Sequence, residues 1–229
     1  MCMKKMSVLA LAMMMSAAVF AQVTPQLVTP MATKTRVGLR GGVNLADLAA
    51  KDLPAMESSM ATEAQAKTSF NGGVFVNIPL SPVIRFQPEL SFSSQGGKLQ
   101  GGNGATAFTY EQDMHYINVP LMFQAQSTKG FFIETGPQVG YLVAAHPKNG
   151  SGTMANISTE SNKDYFDKFD LAWGAGVGYL SRIGLGLDLR YNHGITNVME
   201  DNNASQAMKG TWKNHVGQIS LIYQFGAYK

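Results

Sequence analysis

Six charged residues fall on the same side of extended segments whose other occupants are glycines and amides: Arg40, Arg85, Glu89, Glu134, Asp188 and Arg190. Three cations and three carboxylates gathered in a confined space of low dielectric must pair, because an unpaired buried charge costs several kcal/mol. The same residue types are what a proton or small-ion path needs, and a carboxylate couple such as Glu89 and Glu134 is raw material for general acid–base work. No pocket signature or nucleophile accompanies that couple, so mutual pairing is the chemistry carried forward. The histidines, His115, His146, His193 and His215, lack metal-ligand spacing, and no cysteine supports them. No metal or cofactor is therefore expected. A lipid-modifying enzyme would need a Ser–His pair, and His193 or His215 with Ser205 is the available combination. Nothing in the sequence fixes their separation, and no catalytic residue is assigned.

The segment that must position these charges is clearest at residues 169–197. Leu171, Trp173, Ala175, Val177 and Tyr179 alternate with Asp170, Ala172, Gly174, Gly176 and Gly178. After a break at residues 181–184 the alternation resumes, with Leu185, Leu187, Leu189 and Tyr191 opposite Gly186, Asp188, Arg190 and Asn192. A period of two puts one row on each face of a strand, and so short a break permits only an antiparallel hairpin. The charges share a face with the glycines. A water-facing row is rarely made of glycine, and a dry soluble core rarely accepts Asp and Arg. A transmembrane barrel resolves both, with lipid against the apolar row and a narrow polar lumen holding the glycines and charges.

Composition agrees. The 229 residues are 45% hydrophobic and 14% charged, with 24 Gly and one Cys, which suits a turn-rich all-β chain. Residues 1–21 read as a secretory signal peptide: Lys4 and Lys5, an apolar run from Met6 to Phe20, then Ala21 before Gln22. Its removal takes the basic residues from 18 to 16 against 15 acidic ones, and with no basic stripe a nucleic-acid partner is not implied. Cys2 leaves with it, so disulfide and thiol chemistry are excluded from the mature chain. Beyond Ala21 no apolar run approaches the ~20 residues of a spanning helix, so a membrane-embedded chain must be a closed sheet.

The expected domain plan is a periplasmic lead-in at 22–34 and an outer-membrane barrel at 35–229. Strands are expected at 35–44, 69–79, 83–95, 110–126, 131–145, the two halves of the 169–197 hairpin, and 214–226. The intervening connections run long, short, long, short, long, short, long. That alternation matches an eight-stranded antiparallel up-and-down barrel with short periplasmic turns and long external loops. Loop 45–68, rich in Ala, Met and Glu, is a candidate short helix over the mouth. Pro88, Pro120 and Pro137 interrupt strands three to five, where each removes a ladder donor. They are expected to mark bulges near the lower rim that shift the register.

The pieces GVNL (42–45), QPELSFSSQGG (87–97), YINVPLMF (116–123), ETGPQVGYLV (134–143), DLAWGAGVGYL (170–180), LDLRYNHGITNV (187–198) and LIYQF (221–225) together resemble the PorT-like outer-membrane β-barrel family. The resemblance spans nearly the whole mature chain. It implies an eight-stranded outer-membrane barrel in the bacterial outer membrane, and it carries no catalytic motif. Leu221, Tyr223 and Phe225 resemble the last-strand signal read by the barrel-assembly machinery, although Ala227, Tyr228 and Lys229 follow the final aromatic here. Trp173, Phe225 and the tyrosines at 141, 179, 191 and 223 suit aromatic belts at the two interfaces; Tyr116 falls on the lumen row. The expected role is structural, assembly-related or surface contact, without enzyme activity, with outer-membrane lipid and the assembly machinery as partners and external loops open to a protein partner. The alternatives are a narrow pore for ions or small solutes and a secreted soluble barrel resembling a lipocalin.

Overall fold

The computed structural model describes residues 34–51, 63–65, 67–101, 108–152, 167–197 and 211–226. The expected signal peptide, Ser205 and the centres of the long connections lie outside these residues. The regular elements described are all strands: β1 (Arg36–Lys51), β2 (Glu63–Gln65), β3 (Lys67–Pro79), β4 (Ile84–Gly101), β5 (Phe108–Gln126), β6 (Phe131–Gly152), β7 (Phe169–Leu180), β8 (Leu185–Gly194) and β9 (Thr211–Gln224). β2 is a three-residue piece paired to β4 ahead of β3, so eight long strands form the wall. Neighbouring strands run antiparallel, and β1 pairs with β9 from Gly38↔Gln224 to Lys51↔Thr211. The sheet therefore closes into a barrel and leaves no open edge along its spanning part.

Side-chain direction follows the alternation. In β8 every other residue is exposed, from Leu185 through Tyr191, while Gly186, Asp188, Arg190 and Asn192 face inward. Leu187 and Leu221 are 44% and 62% exposed, whereas Arg190 and Glu134 are each 4% exposed. A lipocalin-like barrel would invert that order, and the exposures overturn the soluble alternative. The outer wall is a continuous apolar surface, and transfer of each such leucine from water to hydrocarbon gains about 1.5–3 kcal/mol. Aromatic residues cluster toward both ends of the wall, Phe131 with Tyr179 (4.9 Å) and Tyr223 with Phe225 (5.1 Å) at the short-turn end, Tyr141 with Phe169 (5.3 Å) at the other. Where a polar atom does face lipid it is satisfied locally: Trp173 Nε1 donates to Thr135 Oγ1 at 2.9 Å, and that hydroxyl donates to the Gly174 carbonyl at 3.0 Å. Leu189→Arg puts a charge on this face at the level of the buried Asp188 and Arg190. It is expected to cost about 2–4 kcal/mol, measured as a lowered urea midpoint of the barrel in lipid vesicles, whereas an exposed leucine of a soluble protein would accept arginine nearly neutrally.

Two of the three short turns share one chemistry. Residues 127–130 and 181–184 are each a Ser-x-x-Gly in which the glycine N–H donates back to the serine carbonyl at 3.0 Å. Gly130 and Gly184 have φ of 97° and 88°, the left-handed conformation this hairpin loop demands of its last residue.

The strands overrun their expected ends on the long-loop side. β1 continues through Lys51, β4 through Gly101 and β6 through Gly152, so much of what reads as loop at 45–68, 96–109 and 146–167 is strand. The proposed helix over the mouth lies outside the described residues. The proline expectation is corrected in two ways. The register is the same on both sides of each proline: β4 pairs β5 in one register from Ile84↔Ala125 to Gly101↔Phe108, interrupted only opposite Pro120. Each proline instead deletes pairs in one ladder, Pro88 toward β3, Pro120 toward β4 and Pro137 toward β5. Nor do they sit at the lower rim. Pro88 adjoins Glu89, and Pro120 occupies the position facing Glu89, level with the buried charges. The real register shifts lie higher in the β5–β6 ladder, between Thr109 and Glu111 and between His115 and Tyr116.

Candidate functional site in the lumen

The lumen is filled in three tiers. At the short-turn end Phe75, Phe132, Leu180 and Ile222 form an apolar floor. Glycines make room for it: a β-carbon at Gly38 would stand 2.2 Å from the Phe75 ring, and one at Gly178 would stand 2.2 Å from the Phe132 ring. This answers why glycine occupies the inward row. Gly38 is the direct cross-strand partner of Phe75 and Gly178 that of Phe132, so each ring folds over the glycine of the neighbouring strand.

Above the floor lies the ionic tier, assembled from four strands. Arg190 on β8 donates through Nε to Glu134 Oε1 on β6 at 2.6 Å and through both Nη atoms to Glu89 on β4, at 2.9 and 2.8 Å. The two-pronged contact with Glu89 is the geometry a guanidinium fork makes with a carboxylate. Arg40 on β1 reaches the same Glu89 through Nη1 at 2.6 Å and Asp188 through Nη2 at 2.9 Å. Asp188 Oδ2 also lies 3.5 Å from Arg190 Nη2. Two guanidiniums thus bind three carboxylates, and every side chain among them is 2% exposed or less.

Amides extend the network downward. Gln87 donates to Glu89 and Gln124 to Glu134, each at 2.9 Å. Asn77 donates to both glutamine oxygens, at 2.8 and 2.9 Å, and its own oxygen accepts from Arg85 Nη1 at 2.8 Å. Arg85, the sixth residue of the sequence-derived set, therefore joins through Asn77, while the other five touch one another directly. Most donors and acceptors of this network are mutually occupied, the condition under which buried polar groups are tolerated, while Asp188 Oδ1 has no hydrogen-bond partner.

The upper tier is built mainly of amides and hydroxyls. Asn44 Nδ2 donates to Ser93 Oγ and to the Ser94 carbonyl, and Asn44 Oδ1 accepts from Asn71 and Gln218. Asn214 donates to Gln95 above it, and Lys67 pairs with Glu111 (2.9 Å) and with Asp113 near the long-connection end.

A family model for the outer membrane protein beta-barrel domain matches residues 20–200. This chain belongs to that family. As an outer-membrane barrel it resides in the bacterial outer membrane, with the short turns at the periplasmic end and the long connections outside. No curated protein matches it in sequence. Among solved structures it is similar to Ail, the attachment invasion locus protein of Yersinia pestis (14% identity, 84% of this chain and 99% of that one covered, TM-score 0.45), Neisserial surface protein A (10%, 82% and 97%, 0.48) and OprG from Pseudomonas aeruginosa (11%, 85% and 98%, 0.48).

On this outer-membrane barrel Leu221 and Tyr223 of the last strand, with Phe225 just beyond it, all project outward. Tyr116 lies inside the lumen, 1% exposed, with its hydroxyl on Met114 Sδ. Glu89 and Glu134 are held by Arg190 rather than facing an open pocket. Sequence reasoning missed one pairing: His193 and His215 stand opposite each other on β8 and β9 with ring centroids 4.5 Å apart. Spacing along a single strand cannot reveal such a pair. The signal that could have found it is the register of the last hairpin, counted from the turn.

Proposed function

We propose that this outer-membrane barrel is a closed, non-enzymatic wall element with a structural, assembly or surface-contact role, its lumen plugged by its own charges. The reading rests on one observation, the Arg190 guanidinium spanning Glu89 and Glu134 with no exposed atom to spare for a solute. The PorT-like resemblance of the strand motifs supports the same class. Outer-membrane lipid is the partner of the apolar wall, the assembly machinery is the proposed reader of Leu221, Tyr223 and Phe225, and a protein partner would engage the external connections. Planar-bilayer recording tests the plug. Protein that shows heat-modifiable gel mobility is expected to insert without stable channel openings. Stable openings whose ion selectivity changes in Glu134→Gln or Arg190→Gln would overturn the plug in favour of a narrow ion pore.

A further inference from the structure

On the lipid-facing row near the external end, β8 and β9 place two imidazoles side by side. His193 and His215 are direct cross-strand partners, their ring centroids 4.5 Å apart and their planes 20° from parallel. Tyr191 stacks beside them, 6.3 Å from His215 and 6.5 Å from His193, and the backbone register puts Asp47 of β1 opposite His215. A neutral imidazole ring carries an in-plane nitrogen lone pair that is a metal donor. An ion with nitrogens at 2.0–2.1 Å holds two cis nitrogens roughly 3 Å apart, so both rings turn out of this stack for their lone pairs to converge on one ion. Strands of a closed barrel fix both histidine backbones in advance, so only the two side chains reorder on chelation.

We propose that His193 and His215 form a two-histidine site for a late first-row divalent transition-metal ion on the outer wall of the barrel. The pair supplies two of the ion's coordination positions. Imidazole donors suit copper, nickel and zinc, and affinity is highest for copper(II).

The test uses untagged, folded barrel in detergent, titrated with copper(II) alone and read by electron paramagnetic resonance. One ion per barrel with coupling to two imidazole nitrogens is expected. His193→Gln and His215→Gln should each reduce the coupling to one nitrogen and weaken binding, and the double variant should lose the signal. His115→Gln and His146→Gln should leave it intact. The mature amino terminus can also hold copper, and the double variant measures that background directly. Heat-modifiable mobility of each variant confirms that it folds. A two-nitrogen signal that survives in the folded double variant, or no stoichiometric copper in the parent protein, would overturn the site.

Discussion

Arg190→Met is expected to destabilise the barrel by about 3–5 kcal/mol, the cost of leaving buried carboxylates without their cation. The guanidinium makes three of the hydrogen bonds that hold Glu89 and Glu134. Arg40 still reaches Glu89 and Asp188 when Arg190 is gone, but Glu134 keeps only the amide of Gln124. The tier then carries one cation against three carboxylates. The expected readout is a lower urea midpoint in vesicles, followed by tryptophan fluorescence and by gel mobility of the unboiled protein. Adding Glu134→Gln to the same chain removes one anion and restores the parent charge balance, so the double variant should regain most of the lost stability. A neutral pair of similar shape is often no worse than the ion pair it replaces. If Arg190→Met leaves the midpoint unmoved, or the double variant is as weak as the single, charge pairing is not what organises this lumen.

How much of this was readable in the chain depends on where the bilayer lies. Between the belts, hydrocarbon on one side and a filled lumen on the other force strict alternation. Leu187 opposite Asp188 is therefore as legible in sequence as in space, and so is the charged set at Arg40, Glu89, Glu134, Asp188 and Arg190. Above the outer belt both faces meet water, and the constraint vanishes. Residues 45–51 continue β1 with a sequence that no longer alternates, which is why they read as loop. The shifts at Thr109/Glu111 and His115/Tyr116 come without any marker residue, and across the second the buried row of β6 passes from even positions, up to Leu142, to odd ones at Ala145 and Pro147. The prolines misled for a related reason. Proline signals a missing donor, and a barrel can lose a donor while its register stays fixed by the pairs on either side. Residue type told that a bond was lost, while only pairing could tell that nothing slipped.

Phe75→Ala should show how the floor of the barrel is built, because it removes a ring that another strand was shaped to receive. Phe75 is 3% exposed and packs with Phe132, Leu180 and Ile222. Its truncation is expected to cost about 3–5 kcal/mol through lost contacts and the cavity left behind. Gly38→Val on its own should also destabilise, by about 1–3 kcal/mol, since the three atoms nearest a new β-carbon are all Phe75 ring atoms, at 2.2, 2.6 and 2.7 Å. The two substitutions act on one volume, one emptying it and the other filling it from the neighbouring strand. Combined in Gly38→Val/Phe75→Ala they should therefore fall short of the sum of the single costs by about 1–3 kcal/mol, a coupling available only to residues in contact. Equilibrium unfolding of the four proteins in the same vesicles closes the cycle. Strict additivity would mean that the ring does not occupy the space above Gly38, and the account of why inward-facing positions are glycine would fail with it.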